Sequence, residues 1–305
     1  MARAESYEAA WGPVSRRVQR VLRGLHWSMK TFRGKQRMIL VEIDWRLGDE
    51  IMAIEAVHAL RMRYPRDAIF VLSNYPELYA FVDFPVIVNT RPPRVDRYYL
   101  LRGEDRLLPR PESNARRIGQ AQPLPNPHLL LNGPPHPKVQ ALRNDCPVIV
   151  IAHETTWINK HWAPENWIEL TERLLACHMA VIELGVRNAL GLGQDLVGKT
   201  AVRDAAHILR DVDLLVSVDC GLMHLALAVG TPVVALFGPT DPGFLVPDHP
   251  LLHAILNPKP CQGFWNHDPI VPPAGECTCG EIACLDAITV DVVFEAIQQA
   301  LKEGR

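Results

Sequence analysis

The chain has 305 residues, 48% of them apolar, which is enough to bury two ordinary cores, so two domains are expected. A formal net charge of −2 at pH 7 gives no global attraction to nucleic acid, and no nucleic-acid partner is expected. No run of 18 apolar residues occurs, so nothing reads as a membrane-spanning helix.

In chain order the first feature is basic. Between Val14 and Arg37 there is no acidic residue, and Val14, Val18, Val21, Leu22, Leu25, Met29 and Phe32 recur at spacings of three and four. Residues 1–37 therefore read as a basic amphipathic arm. Such a helix can lie on an anionic membrane, a peripheral association at the inner face of the cytoplasmic membrane, or pack on the domain with its basic face in water. No apolar segment with a small-residue cleavage site follows the first basic residues, so the cytoplasm is the expected compartment.

Residues 38–140 read as a first Rossmann-like domain. Met38–Ile43 suits a buried strand, Gly48-Asp49 opens a helical pattern from Ile51 to Met62, and Ala68–Leu72 restores a strand. From Asn89 to Asn144 the chain is rich in Pro, Arg and Asn with little periodicity, and it reads as irregular structure with one or two weak strands. Its arginines, Arg91, Arg94, Arg97, Arg102, Arg116 and Arg117, suit an acidic or phosphorylated glycan or else form a solvated surface.

Residues 141–289 read as a second Rossmann-like domain. Strands are expected at Val148–Ala152, Ala180–Leu184, Leu214–Val218 and Val233–Leu236, and helices at Pro164–Cys177, Val202–Leu209 and after Gly221. A Cys-rich loop covers 257–285. The helix in 290–305 is expected to cross back to the first domain. The fold class is α/β, with two Rossmann-like domains facing across a cleft.

The segment Asp219-Cys220-Gly221-Leu222-Met223-His224 ends a buried strand, makes a tight turn and starts a short helix. A helix N-terminus at the carboxyl edge of a sheet offers free N–H groups and a positive dipole end, which suits a phosphate. Asp219 and His224 bracket that turn where packing alone would not ask for them. Asp49 stands near a helix start, where a carboxylate caps the helix or favours its dipole. In the loop after the first strand of the second domain, Lys160 offers positive charge and Thr155 and Thr156 offer hydroxyls. Trp157, Trp162 and Trp167, five apart, share no helical face, and Trp167 is expected in the core. Asp211-Val212-Asp213 has a form used to hold divalent cations on diphosphates, but turn chemistry also explains it. Four of the seven cysteines, Cys261, Cys277, Cys279 and Cys284, fall in the Pro- and Gly-rich loop, where thiolates either hold a structural Zn or Fe or remain unbound.

The string from Asp219 through Gly230-Thr-Pro to Phe237-Gly-Pro-Thr240 resembles the donor-site signature of glycosyltransferase family 9, the heptosyltransferases of bacterial lipopolysaccharide. Arg46-Leu47-Gly48-Asp49 and the stretch from Thr155 to Trp167 are similar to that family's other motifs, and the resemblance covers roughly residues 38–300. It implies the GT-B architecture and metal-independent, inverting transfer of a heptose or related sugar from a nucleotide-diphosphate donor, ADP-heptose, to a glycan or lipid-linked glycan. A protein acceptor stays open. It implies Asp49 as base and Lys160 as counter-charge to the leaving diphosphate, with donor contacts from Thr155, Thr156, Gly185, Asp219, Cys220, Gly221, Met223 and His224. It also implies that some relatives hold iron with four cysteines. Three departures stand out. Cys220 replaces a usual Thr, Glu55 a usual Pro, and the stretch after Gly185 lacks an acid that holds ribose. They keep open a non-catalytic, nucleotide-sugar-binding protein of the same fold. A dinucleotide oxidoreductase ranks last, because neither glycine turn forms Gly-x-Gly-x-x-Gly.

Overall fold

The structure is a computed structural model that describes residues 36–43, 46–101, 107–144, 146–267 and 284–303. The basic arm up to residue 35, Arg102, Cys277 and Cys279 lie outside the described residues.

The smaller domain starts with β1 (Met38–Ile43), α1 (Leu47–Arg63) and β2 (Ala68–Ser73), followed by β3 (Ile87–Val88) and β4 (Arg97–Leu101). The sheet order is β3-β2-β1-β4 and every pairing is parallel, with Met38 opposite Ala68 and Ile39 opposite Arg97. Helix α1 begins four residues before the expected apolar pattern, with Asp49 and Glu50 in its first turn, where acidic side chains favour the dipole.

The stretch expected to be irregular holds more structure than its composition shows. Besides β4 it contains α2 (Arg110–Arg117) and α3 (Pro137–Leu142), each with proline in its first turn. Helix α2 carries no large apolar residue, so hydrophobic spacing could not reveal it. It buries Ser113, Asn114 and Ala115, and the Asn114 amide donates to the Met52 carbonyl of α1 at 2.9 Å.

The larger domain alternates β5 (Val148–Ala152), α4 (Pro164–Ala176), β6 (Ala180–Glu183), β7 (Gln194–Asp195), α5 (Val202–Asp211), β8 (Leu214–Val218), α6 (Gly221–Ala228), β9 (Val233–Phe237), α7 (Pro242–Leu245), β10 (Leu252–Leu256), α8 (Phe264–His267) and α9 (Val290–Glu303). Its six-stranded parallel sheet runs β10-β9-β8-β5-β6-β7. Strands β5, β8 and β9 are buried along their whole length, as expected when helices cover both faces. The strand order reverses direction at β5/β8, and the loops leaving these two strands begin at His153 and Asp219. Ligands of open α/β sheets bind in that crevice.

The last helix does not cross back. Val290, Val293, Ile297 and Ala300 bury one stripe of α9 in the core formed with Trp162, Trp167 and Leu170, and α9 packs on α4, β8, β9 and β10 of its own domain. No helix among the described residues is long and apolar enough to cross a membrane.

The two domains meet chiefly through α1 and α6. At this seam two glycines admit each other's neighbours. A Cβ on Gly48 would lie 2.7 Å from Cδ2 of His224, and a Cβ on Gly221 would lie 2.9 Å from Cβ of Leu47. His224 is only 4% exposed and has little room to yield. Gly48→Ala should therefore destabilise the protein by ~1–3 kcal/mol, the usual cost of overpacking. The urea midpoint against wild type measures it.

Candidate functional site at the domain seam

The carboxyl ends of β5 and β8 and the N-termini of α1 and α6 converge. From the larger domain, the 3₁₀ turn Ile158–Lys160 after β5 carries Lys160, whose Nζ donates to Asp219 Oδ2 at 2.5 Å. Thr240, just after β9, donates its hydroxyl to the same oxygen at 2.6 Å, and His224 Nε2 lies 3.9 Å from Asp219 Oδ1. Burial works to raise the Asp219 carboxyl, but Lys160, His224 and Thr240 outweigh it and hold it below the usual carboxylate range.

His224 responds in the opposite sense. Burial pushes its imidazole down to about 4, against the attraction of Asp219, while the charges of Lys160 and Arg110 push it the same way. It is neutral at pH 7. A histidine with a depressed folded pKa costs stability once the unfolded chain can take the proton and the folded one cannot. Stability should therefore fall as pH drops from 6.5 toward 4, by on the order of 3 kcal/mol from this residue. Denaturant unfolding across that range, compared with His224→Gln, measures the loss, and the variant should show a shallower decline.

From the smaller domain, Asp49 stands in the first turn of α1. Arg110, the first residue of α2, points Nη2 at Asp49 Oδ1 from 3.4 Å, and the two side chains are 14% and 17% exposed. Burial raises the Asp49 carboxyl above its ordinary value, although Arg110 and Lys160 draw it down; Asp219 adds to the rise. Five charged or titratable groups from both domains thus share one seam: Asp49, Arg110, Lys160, Asp219 and His224. Glu50, next to Asp49, faces elsewhere. Burial pushes its carboxyl up to about 7, and Tyr79 donates to it at 3.2 Å.

The remaining expected residues divide. Thr155 and Thr156 lie in the loop after β5, with Thr156 exposed. Gly185 follows β6, and the space beside it is occupied by Glu154, whose carboxylate accepts from the backbone N–H groups of Val186 and Arg187. Met223 is fully buried in the core, so only its backbone N–H faces the turn. Burial pushes the Cys220 thiol up to about 11, against the N–H groups of Met223 and Leu222. The flank of Gly221 is filled by Leu47, so glycine is needed there for domain packing.

Trp162 and Trp167 are core residues, packed edge to face with centroids 4.9 Å apart. Trp157 instead packs against Trp265 at 4.6 Å, with Lys160 Nζ 4.3 Å from its ring centroid. Asp211 and Asp213 are engaged in tertiary contacts, accepting from the backbone N–H groups of His136 and Val148 and pairing with Arg210 and Arg143. Arg94, Arg116 and Arg117 likewise have local partners, and Arg97 lies over the Tyr64 ring. Cys261 and Cys284 come together with Phe264 in one small apolar cluster. Among the described residues no group of three or more His, Cys, Asp or Glu forms a metal site.

Sequence reasoning missed Arg110 and Thr240 as members of this site. Arg110 lies in the polar stretch without periodicity. Thr240 stands inside the signature string, and its place just past a buried strand was the available signal.

The model of glycosyltransferase family 9 (heptosyltransferase) matches residues 114–266, half of the chain. The chain belongs to glycosyltransferase family 9. The family 9 chain is 38% identical over 108 residues to lipopolysaccharide heptosyltransferase 1 of Pseudomonas aeruginosa, covering 32% of this chain and 30% of that protein. It is 30% identical over 103 residues to lipooligosaccharide heptosyltransferase 2 of Haemophilus influenzae, covering 29% and 30%. The alignments thus span about a third of the length of these curated relatives. Its fold is similar to that of Escherichia coli ADP-heptose lps heptosyltransferase II, with TM-score 0.65 and 19% identity, covering 87% of this chain and 99% of that one. It is also similar to that of the dodecameric iron-containing heptosyltransferase TibC in complex with ADP-D-β-D-heptose, with TM-score 0.70 and 18% identity, covering 89% and 78%. The two parallel-sheet domains of this family 9 chain form the GT-B fold of those neighbours.

Proposed function

We propose that this chain is an inverting glycosyltransferase that moves a heptose or related sugar from ADP-heptose to a bacterial surface glycan in the cytoplasm. The observation that carries the reading is the meeting of Asp49 from one domain with Lys160, Asp219 and His224 from the other. Asp49 takes the proton of the acceptor hydroxyl as its oxygen attacks the anomeric carbon, and the bond from that carbon to the diphosphate oxygen breaks. The departing ADP is balanced by Lys160, which exchanges Asp219 for phosphate, and by the N–H groups at the start of α6. Family membership and the solved ADP-heptose complex of TibC support the choice of donor. Cys261 and Cys284, gathered in one cluster, would be two of the ligands of a structural iron or zinc, with no part in the transfer.

The test is the melting temperature with ADP, UDP, GDP and NAD at matched concentrations. A ligand that binds only the folded chain stabilises it by ~2.7 kcal/mol at a hundred times Kd. A shift selective for ADP is expected. A shift with UDP or GDP alone overturns the donor, and a shift with NAD alone overturns the transferase reading.

A further inference from the structure

We propose that Arg110 is a positioning residue for Asp49, holding its carboxylate in the orientation and charge state that the acceptor hydroxyl needs. The inference rests on the reading of Asp49 as base. Arg110 opens α2, which packs on α1 of its own domain and on α7 of the other, so the residue starts a helix held by both domains. The guanidinium sits 3.4 Å from Asp49 Oδ1, and its Nη1 is buried without a hydrogen-bond partner among the described residues. Burying a cation with part of its fork unused is expensive unless a nearby carboxylate needs it.

The other groups facing Asp49 do not replace it. Lys160 is committed to Asp219 at 2.5 Å, Asp219 repels a carboxylate, and His224 is a neutral ring. On α1 itself, Glu50 is turned to Tyr79. Arg110 is therefore the foremost cation keeping a buried base ionised, ahead of Lys160. A carboxylate beside an arginine is held roughly 1–3 pH units lower than it would be alone.

The experiment is the pH profile of kcat/KM, from about pH 5 to 9, for transfer from ADP-heptose to lipopolysaccharide of a heptose-deficient strain. In Arg110→Gln the ascending limb should move up by ~1 pH unit or more, a loss of tenfold or more on the acid side that narrows toward alkaline pH. Arg110→Lys, which keeps the charge without the planar fork, should return the limb close to its wild-type position with a lower plateau. Arg110→Met, which fills the space without polar atoms, serves where the Gln variant does not fold. A loss by the same factor at every pH, or no loss, overturns the inference. Asp49→Asn separates the two failures. If it turns over at the wild-type rate, the base reading falls and this inference with it. If it is inactive while the Arg110→Gln limb stays put, only the role of Arg110 is lost.

Discussion

Replacing Asp49 with asparagine is expected to lower sugar transfer by ~10²–10⁴-fold while leaving the ADP-induced melting shift intact. The isosteric amide keeps the side chain's size and its place in the first turn of α1 but cannot take a proton. The residue lies in the smaller domain, beside Arg110, whereas the candidate phosphate turn at Gly221 belongs to the larger one. Donor binding and proton removal should therefore separate. Burial raises the Asp49 carboxyl above its ordinary value, which brings it nearer the acidity that a general base needs at neutral pH. Steady-state transfer rates and ADP melting shifts of the two proteins check this. Undiminished turnover would remove Asp49 from the base role.

Lys160→Ala should reduce both stability and turnover. Lys160 and Asp219 are 13% and 6% exposed at the side chain, and removing one member of a buried pair strands the other charge, at ~3–5 kcal/mol. The pH dependence identifies the cause. In the wild type, Asp219 has a depressed carboxyl and contributes stability above the unfolded value of 3.8, lost as pH falls through the folded value. Without Lys160, burial is opposed only by His224 and Thr240, so the carboxyl rises and the stranded charge is relieved when it takes a proton. The deficit of the variant should therefore be largest at pH 7 and shrink toward pH 4. Urea unfolding at both ends of that range decides. Equal deficits would mean that Lys160 acts by packing against Trp157 rather than by charge.

The βαβ units were legible because parallel strands buried on both faces are short continuous apolar runs. Met38–Ile43, Val148–Ala152 and Leu214–Val218 stand where the residues alone place them. Helix α2 was not, since it buries only the small side chains of Ser113, Asn114 and Ala115, with the Asn114 amide bonded to Met52, rather than an apolar stripe. Arg110 was hidden with it. The destination of the last helix was also closed to sequence reasoning: an apolar stripe says that a partner exists, and only tertiary packing says that the partner is α4 and its own sheet. The signature turn is legible as a site from its polar residues, but the partners of Asp219 come from separate loops, Lys160 from well before the string and Thr240 from its far end.

The reciprocal fit of Gly48 with His224 and of Gly221 with Leu47 ties the history of the two domains together. An alanine at position 48 could be accommodated by a residue smaller than histidine at 224, and a side chain at 221 by a trimmed one at 47. A domain exchanged for that of a relative would thus fit only where it keeps its half of each pair, so chimeras of this chain should succeed only when positions 47, 48, 221 and 224 remain a matched set.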